Sequence, residues 1–555
     1  MIEKLIKQPK YKNTSIQTKT MSRQSNIKAP RSQSKATKID HVFPKNIATY
    51  LGQKGYTLPK SELSPEDQTE LRKMLVARPI VHGPVQPSDE FPIYRESAQK
   101  FYVPRFFGAA HFGVPQDNKI PEGTDIDLPF CGKLRDIQEM VIAKYMGHVS
   151  HPYGGGGLLE LFCGFGKTIC ALSIISRRKK KTLIIVHKEF LMNQWIERIQ
   201  QFLPTARIGK IQGQIIDIDN KDIVIGMLQS LSMKEYPPAV FESFGLTIID
   251  EVHHISSQVF SNALFKIVTK YMLGLSATMN RKDGTTAVFK MFLGPVVYKC
   301  VRDNEDNVLV RGYFYKSADS EFNEVPLDYR GQVMYSTMIS KLCVCNDRNE
   351  YILNVLKNTL AANENQQIMI LAHNKNILKY LHDTIKHREM ATVGYYVGGM
   401  KEAALKESES KKVIIATYSM AAEALDIKTL TTLIMATPKT DIEQAVGRIL
   451  REKHGTPLVI DIIDTHTPFR NQWNKRKAFY KKQNYKIVLC DSSDAPLVIP
   501  TNNKKSEEAE GDGDGEAEGD GDGDGDGDGD GEADGEDNNK TNRKCLIDIQ
   551  GFDEE

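Results

Sequence analysis

Leu246-Thr247-Ile248-Ile249-Asp250-Glu251-Val252-His253-His254 reads as a buried strand that ends in two carboxylates. Apolar and β-branched residues in unbroken succession suit a strand covered on both faces, as in a parallel sheet flanked by helices. Ligands of such sheets bind beyond the carboxyl ends of the strands, where Asp250 and Glu251 emerge. An aspartate there can hold magnesium, and the glutamate after it can orient or deprotonate a water, two roles that phosphoryl transfer asks of a protein. The same residues also fit an acidic surface turn with two locally satisfied histidines, so the reading needs a partner motif.

That partner lies upstream in Leu161-Phe162-Cys163-Gly164-Phe165-Gly166-Lys167-Thr168, followed by the helix-like Ile169-Cys170-Ala171-Leu172-Ser173-Ile174-Ile175. Strand, glycine turn and helix come in the order of a phosphate loop. Gly164, Phe165 and Gly166 can bring backbone N–H groups to phosphate oxygens at a helix N-terminus. Lys167 supplies a point charge, and the Thr168 hydroxyl can ligate magnesium beside Asp250. The strict pattern has glycine where Leu161 stands, and a glycine-rich turn without a ligand is the competing reading. Counted together, the two motifs predict ATP hydrolysis with Mg2+.

The 555 residues exceed one core and suggest about three folded units. The formal net charge of +2 hides a division. Residues 507–537 hold 17 acidic residues and no Lys or Arg, so the remainder of the chain carries a formal +19. A basic body with an acidic tail predicts a polyanionic partner, most often nucleic acid, although a lysine-rich soluble surface would look the same. Eight cysteines include no C-x-x-C pair, which argues against a zinc ribbon and a disulfide framework. No apolar run approaches 18 residues and no signal-peptide core opens the chain, so an intracellular protein without a membrane span is expected.

Residues 1–45 carry eleven Lys/Arg against Glu3 and Asp40 and read as a disordered basic arm. Residues 46–129 alternate short apolar runs with prolines and read as an N-terminal accessory domain. Residues 130–298 and 346–490 each alternate strand-like and helix-like segments, giving two α/β halves with a cleft between them. Residues 299–345 read as a linker or small insert. Residues 491–555 contain a Gly-Asp alternation that cannot bury apolar surface and read as a disordered acidic tail. A calcium loop over Asp526 to Asp537 is not expected, because its last ligand is Asp rather than Glu and the sequence offers no flanking helices.

With both nucleotide motifs placed, the other landmarks make the chain resemble a superfamily 2 helicase. Leu134-Arg135-Asp136-Ile137-Gln138 looks like the element that reads adenine in that family through Gln138. Val186-His187-Lys188-Glu189-Phe190-Leu191 with Gln194-Trp195, and then Gln229-Ser230, resemble nucleic-acid-contacting motifs, although a tryptophan on an apolar helix face more often belongs to the core. Ser276-Ala277-Thr278 resembles the motif that couples hydrolysis to movement. Thr417 through Glu423-Ala424-Leu425-Asp426 resembles motif V, with Ala424 where glycine is usual. Gln444-Ala445-Val446-Gly447-Arg448-Ile449-Leu450-Arg451 resembles motif VI. Within the superfamily, the DEVH sequence Asp250-Glu251-Val252-His253-His254 and Leu273-Gly274-Leu275-Ser276-Ala277-Thr278 resemble the XPB-related branch. They are most similar to the transcript-release helicases of poxviruses and other large cytoplasmic DNA viruses. Phe91-Pro92-Ile93-Tyr94-Arg95 and Tyr102-Val103-Pro104-Arg105 look like that group's N-terminal signature. Arg281-Lys282-Asp283 falls where the branch has Arg-Glu-Asp, and the reversed charge at Lys282 puts a strand-opening role there in doubt.

The resemblance implies an α/β fold of two RecA-like parallel-sheet domains, with ATP between them and Gln444, Arg448 and Arg451 reaching it from the second. Ser276, Ala277, Thr278 and Asp426 are implied to couple hydrolysis to motion. It further implies a monomeric DNA helicase or translocase moving 3′→5′ in viral transcription, with RNA polymerase and transcription factors as partners and a host-cytoplasmic or virion location. Two alternatives stay open: an RNA helicase, and a nucleic-acid-binding transcription factor with a vestigial ATPase.

Overall fold

In the computed structural model the described residues are 41–78, 90–151, 155–254, 257–279, 284–302, 307–423, 427–450 and 455–490. By its contacts the chain divides at Val42, and the elements below belong to the unit that begins at Phe43. Arg281 to Asp283, Asp426, Arg451, the arm before His41 and the tail after Cys490 lie outside the described residues.

The strand Leu246–Ile249 is wholly buried and sits in the middle of an eight-stranded sheet. The order across that sheet is Ile215–Ile216, Ile208–Gln212, Ile223–Met227, Thr182–Val186, Leu246–Ile249, Tyr271–Ser276, Gly156–Leu161 and Val296–Cys300. Every pairing is parallel except that of the short edge strand Ile215–Ile216. Successive side chains of a strand point to opposite faces. Leu183 and Ile185 accordingly join one core while Ile184 and Val186 join the other, and Ile249 and Ile248 divide in the same way. Both faces are therefore apolar, and the unbroken apolar run in the sequence is the consequence.

A second sheet repeats the plan. Its seven parallel strands run Val393–Tyr396, Val413–Thr417, Gln367–Ala372, Leu430–Met435, Leu458–Asp464, Leu309–Tyr315 and Lys486–Cys490. Ile368 and Ile370 face one core, Met369 and Leu371 the other. The two sheets are RecA-like domains. This corrects the reading of 299–345 as a linker or insert. Val296–Cys300 is the edge strand of the first sheet, and Leu309–Tyr315 lies inside the second, hydrogen-bonded on both sides. Its Arg311, Gly312 and aromatic residues break the aliphatic run that marks the other strands, which hid it from a reading by pattern.

The residues before the first sheet form a five-stranded sheet, Arg95–Glu96, Lys100–Val103, Gly55–Pro59, Tyr50–Gly52 and Asp117–Asn118. Helix Pro65–Met74 starts with a capping box in which Ser64 and Asp67 satisfy each other's backbone N–H groups. Helix Arg105–Phe112 lies so close to the sheet that a Cβ at Gly108 would come within 2.2 Å of the Tyr56 ring. This region shares its core with one face of the first RecA-like sheet, from Phe43 and Leu58 through Leu158 and Phe292. Arg105 Nη1 also donates to the Lys270 carbonyl at 3.0 Å, tying the N-terminal region to the start of the strand Tyr271–Ser276.

Candidate nucleotide site

Strand Gly156–Leu161 delivers the glycine turn to helix Lys167–Arg178. Gly164 (φ 85°) and Gly166 (φ 89°) take the left-handed conformation, which glycine adopts without a Cβ clash. From beneath, Gln138 Nε2 donates to Phe165 O at 2.9 Å and Gln138 Oε1 accepts from Arg135 N at 2.9 Å, while Arg135 Nη2 also donates to Phe165 O. A Cβ at Gly166 would stand 2.6 Å from Gln138 Nε2. Gln138, expected to read adenine, is thus buried with its amide engaged by the phosphate loop and its flank. Thr168 opens the helix, half-buried.

Asp250 and Glu251 follow strand Leu246–Ile249 as the register requires, one residue beyond the pairing of Ile249 with Ile185 and Gly274. Asp250 is buried. Its Oδ2 accepts from the Trp195 indole Nε1 at 2.9 Å, and its Oδ1 accepts from Glu251 N at 2.9 Å. Burial, with the neighbouring Glu251 charge adding, pushes the Asp250 carboxyl up to about 6, against the pull of Lys167 and of the Trp195 hydrogen bond. Glu251 has a left-handed backbone (φ 46°), a costly conformation for a side-chain-bearing residue and one that clusters at functional sites. Its Oε1 lies 2.7 Å from Lys167 Nζ. Burial would depress the Lys167 ammonium, but Glu251, helped by Cys163 and Asp250, holds it above its ordinary value.

From Glu251 the contacts continue across the cleft. Glu251 Oε2 is 3.4 Å from His253 Nδ1, Ser276 Oγ is 2.7 Å from the same nitrogen, and Gln444 Nε2 is 2.8 Å from His253 Nε2. Ser276 Oγ in turn donates to Thr278 O. One assignment satisfies the set: a neutral His253 protonated on Nδ1, accepting from the Gln444 amide on Nε2. Gln444 and Arg448 lie on helix Glu443–Arg448 of the second domain, and Arg448 is buried. A Cβ on Gly447 would be 3.0 Å from Cys163 Cβ in the phosphate loop, so the two domains meet at close contact.

Two hydrogen-bonded sets, Lys167 with Glu251 and Asp250, and Ser276 with His253 and Gln444, thus meet where Glu251 approaches His253, with Gly164, Phe165, Gly166 and Thr168 beside them. Ala277 and Thr278 follow Ser276 directly. Two participants escaped the sequence reading. The sequence marks His253 only as part of the motif, and Trp195 only as core or nucleic-acid contact. Trp195 is in fact both buried and a hydrogen-bond donor to Asp250. A lone polar atom on an otherwise apolar helix face was the available signal.

Residues 132–281 match the family model described as Type III restriction enzyme, res subunit. The chain is 34% identical over 459 residues to the "Putative ATP-dependent RNA helicase L396" of Acanthamoeba polyphaga mimivirus, covering 80% of this chain and 87% of that protein. It is 28% identical over 386 residues to the "Putative ATP-dependent RNA helicase QP509L" of African swine fever virus (isolate Pig/Kenya/KEN-50/1950), covering 65% of this chain and 75% of that protein. Among solved structures, Saccharomyces cerevisiae Dbp5 bound to RNA and ADP BeF3 aligns with a TM-score of 0.46 and 14% identity, over 65% of this chain and 91% of that one.

Proposed function

Because the chain belongs to the superfamily 2 helicases, in the company of viral helicases, we propose that it is an ATP-driven translocase that moves 3′→5′ on DNA during viral transcription. The observation that carries the catalytic part of this reading is the contact chain from Lys167 through Glu251 and His253 to Gln444. It joins the phosphate loop of one domain to the helix of the other that bears Arg448. Phosphate oxygens entering the Gly164–Thr168 turn compete with Glu251 for Lys167. Glu251, so released, is free to take a proton from water, and Lys167 is then held by phosphate instead of carboxylate.

A magnesium ion fits this donor set, because a buried carboxylate at Asp250 and a hydroxyl at Thr168 flank the turn and Asp250 gains from a cation the stabilisation that burial denies it. Thr168 and Asp250 would hold it, and its charge would neutralise that of the phosphates. Arg448 and Arg451 serve the developing charge from the second domain, a contribution of about 10³–10⁵ in rate for such arginines. Since they belong to the other half of the cleft, turnover changes how the halves close, and nucleic acid gripped by both is moved. His253, hydrogen-bonded to Ser276 and Gln444, is placed to report closure to the Ser276-Ala277-Thr278 segment.

A specific observation favours the second reading, RNA as the track: both viral relatives are named as RNA helicases. Phosphate release and strand displacement, measured side by side with single-stranded DNA, duplex DNA and RNA, distinguish the two. Stimulation by RNA alone overturns the DNA assignment. Turnover that no nucleic acid changes overturns the motor assignment.

A further inference from the structure

Between strand Leu430–Met435 and helix Glu443–Arg448 the chain passes through an irregular stretch, Ala436-Thr437-Pro438-Lys439, buried up to Pro438. Its four successive carbonyls are each taken by a different side chain. Arg348 Nη2 donates to Ala436 O (2.9 Å), Tyr418 Oη to Thr437 O (2.5 Å), Tyr335 Oη to Pro438 O (3.3 Å), a proton it shares with Gln472 Oε1 at 3.3 Å, and Arg476 Nη1 to Lys439 O (2.9 Å). These donors come from four helices, Asn346–Ala362, Tyr418–Glu423, Tyr335–Val344 and Thr467–Lys482. The two guanidiniums are neutralised from one strand, Arg348 by Asp464 at 2.6 Å and Arg476 by Asp461 at 2.8 Å, and all four side chains are at most 1% exposed.

Irregular buried backbone must have its carbonyls satisfied. Two buried ion pairs are nevertheless a poor way to gain stability, because desolvation offsets most of the attraction. What they supply is geometry, since a guanidinium anchored by a bidentate carboxylate cannot yield when the carbonyl it holds is pulled. The Thr437 hydroxyl is held as well: its Oγ1 accepts from His373 N at 3.1 Å and lies 2.9 Å from His373 Nδ1. His373 follows strand Gln367–Ala372, and Tyr418 follows strand Val413–Thr417. The carboxyl ends of three adjacent strands are therefore locked to the segment that leads into the Gln444 and Arg448 helix.

We propose that Arg348, Tyr335, Tyr418 and Arg476 are positioning residues that hold the 436–439 stretch rigid, so that movement of the second domain reaches Gln444 and Arg448 without being absorbed by the loop. This rests on the ATPase reading given above. A positioned arginine acts on charge that develops in the transition state, so a loosened clamp lowers kcat and leaves ATP binding alone.

The test uses the full chain with ATP and whichever nucleic acid, duplex DNA or single-stranded RNA, stimulates it more. Tyr418→Phe keeps the ring and removes only the hydroxyl. Thr437→Val removes the group that His373 holds. Both should lower kcat about tenfold, the order expected for one buried hydrogen bond, with the KM for ATP changed by less than about twofold. If both variants keep the kcat of the unaltered chain, the clamp is only structural and the proposal falls. It falls equally if KM rises in step with the lost kcat, or if melting curves show that loss of folded protein accounts for the change. An unaltered chain that turns over no faster than Lys167→Ala overturns the ATPase reading, and this proposal with it.

Discussion

Lys167 and Glu251 hold each other at 2.7 Å, yet their removal should have different consequences. Lys167→Ala takes away the charge that binds phosphate, so nucleotide affinity and turnover fall together. Glu251→Gln keeps a similar shape and loses the base. Turnover should fall by about 10²–10⁴ while nucleotide stays bound, which filter binding of labelled ATP beside a phosphate-release assay will register. A Glu251→Gln variant with near-native turnover would sink the assignment. Trp195 tests the neighbouring carboxylate. Its indole hydrogen bond favours ionised Asp250 and so lowers a carboxyl that burial has raised to about 6. Removing that bond with Trp195→Phe must raise the Asp250 pKa further, because the charged form loses a donor. Ionised Asp250 is the form that can bind a cation, so the acid limb of the kcat/KM profile should move to higher pH, with turnover little altered well above it. A limb that stays in place would make Trp195 a packing residue alone.

At the scale of elements, the phosphate turn and the Glu443–Arg448 helix meet where a Cβ on Gly447 would stand 3.0 Å from Cys163 Cβ. Gly447→Ala therefore crowds this contact between the two domains. Overpacking costs about 1–3 kcal/mol, and an open cleft escapes it. Turnover should fall on the order of tenfold with the melting temperature within a few degrees of the unaltered chain. A large drop in melting temperature with normal specific activity of the folded fraction would show that the glycine serves the fold of its own domain. The strand Leu309–Tyr315 illustrates the converse. It joins Leu458–Asp464 and Lys486–Cys490, partners about 150 residues or more further on, and nothing in its immediate neighbours announces that pairing.

At the scale of the molecule, contacts also join the domains away from the nucleotide site. Lys406 Nζ is 2.6 Å from Glu197, and Asn193 Nδ2 donates to Glu402 at 3.0 Å. Such exposed pairs contribute little individually and weaken with salt, so they favour closure without enforcing it. Charge at long range comes from the tail. The 17 acidic residues in 507–537 resemble a strand of phosphates, and the rest of the chain carries a formal +19. Deleting 507–537 should tighten nucleic-acid binding at low salt, with the gain shrinking as screening rises. Each phosphate contact freed from competition would steepen the log–log salt dependence by about 0.9 on duplex DNA. Superimposable titrations of full-length and truncated protein at every salt concentration would exclude competition.

The sequence by itself determined the two parallel sheets and the order of the nucleotide motifs. Both are written locally: unbroken apolar runs such as Thr182–Val186 encode strands covered on both faces, and glycines at 164 and 166 encode a turn that only a narrow range of backbone conformations can make. Lys167, Asp250 and Glu251 could be named from spacing because each stands at the end of a strand or the start of a helix. Tertiary structure alone decided what those groups touch. Trp195 reaches Asp250 across 55 residues, Gln444 reaches His253 across 191, and Arg348 finds Asp464 across 116. A side chain's environment depends on which elements the fold stacks against it, and chain crossings of that length leave no local periodicity to read. The buried amide of Gln138, turned to the phosphate loop, and the strand hidden in 299–345 were settled in the same way, by packing partners that lie far off along the chain.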